Sequence, residues 1–353
     1  MDTHFRVGVS ADFKLEAAGV LEPFFDQYFG PHPHIKWEYF PGQAGTIVMP
    51  DQIRHYDALI TLRPRFTARS FAGIDRLAVI ARWGVGYDVI DVAACTDANV
   101  LLTITTGTVN RPVAEAIVTF LLALAKKLPQ KDRLARTGRW DQKAEVSGLG
   151  LRGKVIGSLG LGNIASEMFR LLEPFDPGRK LAYDPYVDRD KMARMGIEQV
   201  DLQTLFRESD FLAINCPLTD QTRGLVNRAL FDLMKPTAYL VNTARGAIIN
   251  EADLVAALRE RRIAGAGLDV FEQEPLPADH PLTTLDNVIL SPHGMAWTDD
   301  LYRGNSERVC LNILSVLQGR VPEAQYIVNP SVVEQTAFQA RLDSLRRRAS
   351  NTV

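Results

Sequence analysis

Cysteine is scarce: three residues, Cys95, Cys216 and Cys310, occur in 353 and are far apart. That spacing excludes a disulfide framework and the paired patterns of zinc or redox sites, and fits a chain kept reduced in the cytoplasm. No metal site is expected. An excess of charge is also missing, because 40 Lys and Arg face 42 Asp and Glu for a formal net charge of -2. Broad attraction to nucleic acid or anionic lipid is therefore not expected, and small molecules are the natural partners. The longest apolar stretch, around 117–125, falls well short of the roughly 20 residues of a membrane-spanning helix. The start, Met1-Asp2-Thr3-His4-Phe5-Arg6, lacks the apolar stretch of a secretory signal. Internal repeats and low-complexity segments are absent too. What remains is a chain 46% hydrophobic, long enough for two domains.

Short apolar runs at 7–10, 58–61, 77–81 and 100–104 alternate with helix-like segments. A second series follows at 155–159, 181–183, 211–214, 239–241, 266–270 and 288–290. Such alternation predicts an α/β fold of two doubly wound parallel-sheet domains. The expected organisation is a flavodoxin-like substrate domain, 1–107 and 299–353, into which a Rossmann domain, 108–298, is inserted. Long helices are predicted from 111 to 128 and, behind the cap Thr298 and the acidic pair Asp299 and Asp300, from 299 to about 317. Residues 331–353 are polar and carry Arg346-Arg347-Arg348, which reads as a solvated helix or tail.

The run 155–159 leads into Gly160-Leu161-Gly162-Asn163-Ile164-Ala165, a Gly-x-Gly-x-x-Ala turn that opens a helix containing Met168, Phe169 and Leu172. Gly160 permits the turn, Gly162 lets main chain approach a pyrophosphate, and small Ala165 lets helix pack on strand. The helix N-terminus then faces the anion. Asp184 ends the second strand, roughly twenty residues past the turn, where a carboxylate accepts hydrogen bonds from the ribose hydroxyls. Its charge repels a 2′-phosphate and favours NAD over NADP, with Arg189 nearby as the opposing feature.

Further motifs follow in order: Gly84-Val85-Gly86-Tyr87-Asp88, Val113-Ala114-Glu115, Cys216-Pro217-Leu218-Thr219, Asn242-Thr243-Ala244-Arg245-Gly246, Asp269-Val270-Phe271-Glu272-Gln273-Glu274-Pro275 and Ser291-Pro292-His293. With the glycine turn and Asp184, this set resembles the D-isomer-specific 2-hydroxyacid dehydrogenases from about residue 58 to 330. The resemblance implies an NAD-dependent enzyme that interconverts a D-2-hydroxy acid and its 2-oxo acid, with Arg245, Glu274 and His293 as catalytic residues. It implies cofactor contacts at Gly160, Gly162, Asn163, Ile164, Asp184, Cys216, Pro217, Thr222, Thr243, Ala244, Asp269 and His293. Imidazole titrates near neutrality, so His293 suits proton exchange with the substrate oxygen. Glu274 would hold one tautomer and stabilise the imidazolium, and Arg245 offers a fixed cation with several donors to a carboxylate and its neighbouring carbonyl. Asp269 is read as a supporting carboxylate or a strand-end residue, Glu272 as a surface acid or one that supports the site from behind.

The substrate carboxylate is expected at Val85 and Gly86, where small residues expose main-chain N–H groups. Arg63 and Arg65 either form a solvated pair or, as they resemble the phosphate-binding pair of phosphoglycerate dehydrogenases, predict a second anionic or strongly polar substrate group. Val89, Trp83 and the Gly294-Met295-Ala296-Trp297 stretch depart from common family patterns and leave the substrate open among hydroxypyruvate, glyoxylate, phosphohydroxypyruvate and sugar-derived 2-oxo acids. The resemblance also implies a homodimer formed through residues 111–149, with burial within one chain as the alternative. Two rivals are an NAD(H)-sensing, corepressor-like protein without turnover and a formate-dehydrogenase-like enzyme, the latter disfavoured by Glu rather than Gln at 274.

Overall fold

Apolar runs become central strands because helices cover both faces of a parallel sheet. In the computed structural model, which describes residues 4–350, the first sheet contains β1 (Phe5–Ser10), β2 (Ile35–Phe40), β3 (Ala58–Thr61), β4 (Val79–Arg82) and β5 (Leu101–Thr103). All are parallel, in the order β2-β1-β3-β4-β5, which is the flavodoxin-like arrangement. Every residue of β3 is buried. This sheet lies in a unit made of the chain up to Val109 and from Thr298 onward.

Helix Asp299–Leu317 closes that unit. Thr298 Oγ1 accepts the Leu301 N–H at 3.4 Å, and Asp299 and Asp300 occupy the first turn, where the helix dipole favours negative charge. Val309, Cys310, Ile313 and Val316 are fully buried. Of the two readings of the segment from 331 on, helix or tail, Thr336–Ser350 is a helix, and one face of it buries Phe338, Leu342 and Leu345. Its arginines occupy the other faces, and residues 351–353 lie outside the described part.

The second unit, Asn110–Trp297, contains β6 (Ile156–Leu159), β7 (Lys180–Tyr183), β8 (Glu198–Gln199), β9 (Phe211–Ile214), β10 (Tyr239–Asn242), β11 (Gly265–Leu268) and β12 (Val288–Leu290). The sheet order is β12-β11-β10-β9-β6-β7-β8, all parallel. The order reverses between β6 and β9, the switch point at which such sheets bind ligands beyond the strands' carboxyl ends. Helix Asn110–Ala125 packs against helix Asn163–Leu172 and the sheet, burying Ile117, Phe120, Leu121 and Leu124. Its apolar face thus serves the unit's own core. The following helix, Leu128–Arg136, buries nothing, and Leu128 and Trp140 are exposed.

The fold is α/β with two all-parallel doubly wound sheets, as expected. Two strands had not been anticipated, β2 and β8, and both lie at sheet edges. The three cysteines are buried and free. Burial pushes the Cys216 thiol up to about 11 and the Cys95 thiol, also beside Asp91, up to about 12, so both are poor nucleophiles. Among the described residues no helix is long and apolar enough to cross a membrane, and no cluster of ligating side chains suits a metal.

Candidate active site

Three consecutive neighbouring strands of the second sheet, β10, β11 and β12, end in the loops that carry Arg245, Glu274 and His293. Asn242, the last residue of β10, is buried and folds the first loop from within: its Oδ1 accepts the Ala244 N–H at 3.0 Å and its Nδ2 donates to the Arg245 carbonyl at 2.9 Å. The Arg245 guanidinium donates to the Ala244 carbonyl at 2.7 Å. Gly246 is required next to it, because a Cβ there would overlap the main chain of Phe271 and Glu272. That close approach brings the Arg245 loop against the loop of Glu274.

His293 and Glu274 meet directly, with Nδ1 2.7 Å from Glu274 Oε2. Glu274 Oε1 accepts the Phe271 N–H at 3.1 Å, so both carboxylate oxygens have assigned partners. The His293 and Glu274 side chains are 31% and 23% exposed, enough for a small molecule to reach them. His293 has φ +53°, a left-handed conformation that His adopts more readily than most side chains. Asp269 supports that turn. Its Oδ1 accepts the N–H groups of Gly294 at 3.0 Å and Met295 at 3.1 Å. Burial raises the Asp269 carboxyl above its ordinary value, against the pull of Ser291, the two N–H groups and His293. The Glu272 carboxylate accepts the Glu251 N–H at 3.1 Å and the Glu272 N–H donates to the Glu251 carboxylate at 3.2 Å, which ties its loop to the start of helix Glu251–Arg259.

The switch point is shaped for a dinucleotide. Gly160 has φ +93°, and a Cβ there would come within 2.8 Å of the Cys216 nitrogen. A Cβ on Gly162, by contrast, would meet no protein atom within 4 Å, which leaves room beside the helix start. Helix Asn163–Leu172 has no side-chain cap, so the N–H groups at its first residues, Asn163 and Ile164, are offered to an anion. Asp184 is held by the N–H groups of Leu161 at 2.8 Å and Tyr186 at 2.9 Å, one on each oxygen. Each oxygen keeps a lone pair for a hydroxyl. A cavity of about 500 Å³ adjoins it, lined in part by Arg189 and Gln199. Arg189 donates to Gln199 at 2.9 Å, and Gln199 donates to the Asp184 carbonyl at 3.2 Å.

Cys216 and Pro217 follow β9, and Thr222 donates to the Pro217 carbonyl at 2.7 Å. Thr243 and Ala244 are partly exposed after β10. The residue types and their positions at the strand ends fit a bound dinucleotide.

In the other unit, Val85 and Gly86 are partly exposed after β4. Trp83 before them is buried, donates to Ser306 Oγ at 3.0 Å and packs edge-on against Phe13, which makes it a core residue. Arg63 pairs with Glu16 at 2.7 Å, and its N–H bonds Asp12 at 2.8 Å. The Arg65 side chain is exposed while its main chain bridges to Thr46 and Val48. Asn242, Asp12 and Glu16 were not singled out from sequence; only Asn242, at a strand end next to the Arg loop, carried a local signal.

The family model described as D-isomer specific 2-hydroxyacid dehydrogenase, NAD binding domain, matches residues 118–294. A glyoxylate reductase of Thermofilum pendens is 39% identical over 288 residues, covering 80% of this chain and 84% of the relative. A D-3-phosphoglycerate dehydrogenase of Methanocaldococcus jannaschii is 38% identical over 262 residues, covering 74% and 49%. The crystal structure of the TT0316 protein from Thermus thermophilus superposes with a TM-score of 0.80 at 28% identity, covering 92% of this chain and all of that one.

Proposed function

The chain belongs to the D-isomer-specific 2-hydroxyacid dehydrogenase family and is an NAD-dependent 2-hydroxyacid oxidoreductase; within that class we propose that Arg245, Glu274 and His293 carry the interconversion of a D-2-hydroxy acid and its 2-oxo acid. The observation that carries this reading is the 2.7 Å contact of His293 Nδ1 with a carboxylate whose other oxygen is already fixed by main chain. When Nδ1 holds its proton toward Glu274, Nε2 is the nitrogen left for exchange. In reduction, protonated His293 donates from Nε2 to the oxygen developing on C2, and Glu274 stabilises the imidazolium beforehand. In oxidation the same nitrogen accepts the hydroxyl proton. Arg245 pairs with the substrate carboxylate and draws charge onto the C2 oxygen. The nicotinamide cofactor, when bound, would supply hydride to C2 as NADH or accept it from C2 as NAD. Gly160, Gly162, Asn163 and Ile164 would hold its pyrophosphate and Asp184 its ribose, while Cys216, Pro217, Thr222, Thr243, Ala244 and Asp269 line the remainder. Asp269 acts there chiefly through the turn that positions His293.

We assign the substrate to the small 2-oxo acids, glyoxylate first. Two observations support that choice: the similarity to glyoxylate reductases and the Arg63–Glu16 pair, which already engages one of the two arginines read as a second anion site. Homodimerisation is assigned to the 111–149 segment, where Leu128 and Trp140 are exposed. The test is NADH consumption with glyoxylate, hydroxypyruvate and phosphohydroxypyruvate, in wild type and in the Arg63→Gln/Arg65→Gln double variant. Glyoxylate turnover with KM changed less than about twofold supports the assignment, since an interaction with a charged group is worth at least about tenfold. A preference for phosphohydroxypyruvate that the double variant abolishes overturns it.

A further inference from the structure

The loop that carries Glu274 is anchored by a second carboxylate and a second histidine. Glu251 opens helix Glu251–Arg259 behind its cap Asn250, and its side chain is only 13% exposed. Its Oε2 accepts the N–H of Glu272, two residues before Glu274, at 3.2 Å. Its Oε1 lies 3.2 Å from Nε2 of His280, six residues after Glu274. One carboxylate therefore grips the chain on both sides of Glu274.

His280 is fixed for this contact. Its Nδ1 accepts the Leu282 N–H at 3.3 Å, which caps the turn Pro281–Thr284 and places the ring's proton on Nε2, facing Glu251. Its main-chain N–H donates to the Pro277 carbonyl at 3.0 Å, and its carbonyl accepts the Thr283 N–H at 3.0 Å and the Thr283 hydroxyl at 2.7 Å. Leu282 beside it is fully buried. At the other end of the grip, the Glu272 carboxylate accepts the Glu251 N–H at 3.1 Å, so each of the two acidic side chains is held against the other's main chain. Like charges held this close repel, and the Nε2 proton of His280 offsets that repulsion.

We propose that Glu251 and His280 are positioning residues for the catalytic carboxylate, acting through Glu272 and the chain from 272 to 280 to fix where Glu274 meets His293. The inference rests on the catalytic reading of Glu274. The bond from the Phe271 N–H to Glu274 Oε1 orients the carboxylate only within its own loop. The placement of that loop comes from its anchors: Gly246 packed on the main chain of Phe271 and Glu272, and Glu251 with His280. A displacement of about 1 Å at a reacting group can slow a reaction on the order of a hundredfold, so loss of one anchor is felt in turnover.

The test is steady-state reduction by NADH of whichever of glyoxylate, hydroxypyruvate and phosphohydroxypyruvate wild type turns over fastest, with NADH affinity followed separately by fluorescence titration. His280→Ala should lower kcat about tenfold or more, while KM for the 2-oxo acid and NADH affinity each change less than about twofold, because the lost placement is felt in proton transfer. His280→Gln keeps an N–H donor toward Glu251 and should recover most of the loss. Added to Glu274→Gln, His280→Ala should cost less than about twofold more, as it must if it acts through Glu274. Glu251→Gln, which exchanges one acceptor for a donor, should show the same fall in kcat and serves should His280→Ala fail to fold. Unchanged kcat in His280→Ala and Glu251→Gln, or an equal fold-loss with and without Glu274→Gln, overturns the positioning role and leaves the catalytic reading standing. A Glu274→Gln enzyme as fast as wild type overturns the catalytic reading, and the positioning role with it.

Discussion

His293 and Glu274 lie nineteen positions apart, yet Nδ1 of one sits 2.7 Å from Oε2 of the other. The carboxylate is not free to turn away, because Oε1 takes the Phe271 N–H. Orientation and charge are thus supplied by one group, and they can be separated by mutation. Glu274→Gln keeps the shape and an acceptor oxygen but removes the charge. It should lower 2-oxo acid reduction by about ten- to a hundredfold, and the rate should begin to fall with rising pH earlier than in wild type. A pH–rate profile that keeps its shape would place Glu274 in an orienting role only.

Gly246 tests whether the close approach of two loops matters. Gly246→Ala forces Arg245 away from the Phe271–Glu272 main chain. We expect a stability loss of about 1–3 kcal/mol by urea denaturation, with a rise in KM for the 2-oxo acid from the displaced Arg245. Retention of both parameters would mean that the loops separate at no cost.

Asp184 bears on the choice of cofactor. Asp184→Asn removes the charge expected to repel a 2′-phosphate, and Arg189 lines the adjoining cavity. The ratio of NADPH to NADH affinity should rise about tenfold or more, and adding Arg189→Ala should reverse much of that gain. Fluorescence titration with the two nucleotides measures both.

Asp210 joins the start of β9 to the start of β6, beneath the glycine turn: it accepts the Val155 N–H at 2.9 Å and pairs with Lys235 at 2.8 Å. Burial pushes its carboxyl up, but Lys235, the Val155 N–H and Lys154 outweigh that and leave it below the ordinary value. A carboxyl lowered on folding stabilises the native state fully above its unfolded value and loses that contribution as pH falls through the folded one. The advantage of wild type over Lys235→Met in urea midpoint should therefore be steady near neutrality and shrink below about pH 4. A difference independent of pH would exclude the ion pair as its source.

What the sequence revealed and what it hid have physical reasons. The strands β3, β9 and β10 are buried throughout, so apolar side chains dominate them. The strand β2 is an edge strand in which Lys36 and Glu38 interrupt the apolar residues, and β8 is two polar residues, so neither stands out. The C-terminal helix did leave a signal in Phe338, Leu342 and Leu345, spaced for one helical face, but Arg341 among them and Arg346-Arg347-Arg348 after them dominated the composition. The glycine turn and Asp184 were legible as a local pattern with a mechanism. Arg245, Glu274 and His293 were not legible that way: each is an ordinary loop residue until the whole motif series is considered together. The tie of Glu251 to Glu272 and His280 had no local signature, since its members come from separate segments of the chain.

The central claim is proton exchange at His293 during hydride transfer, and rapid-mixing reduction of glyoxylate by NADH tests it most directly in wild type and His293→Ala. The account predicts that His293→Ala still binds NADH but reduces glyoxylate on the order of a thousandfold more slowly. Undiminished reduction by the variant, or a wild type that binds NADH and turns over none of the 2-oxo acids, would contradict it.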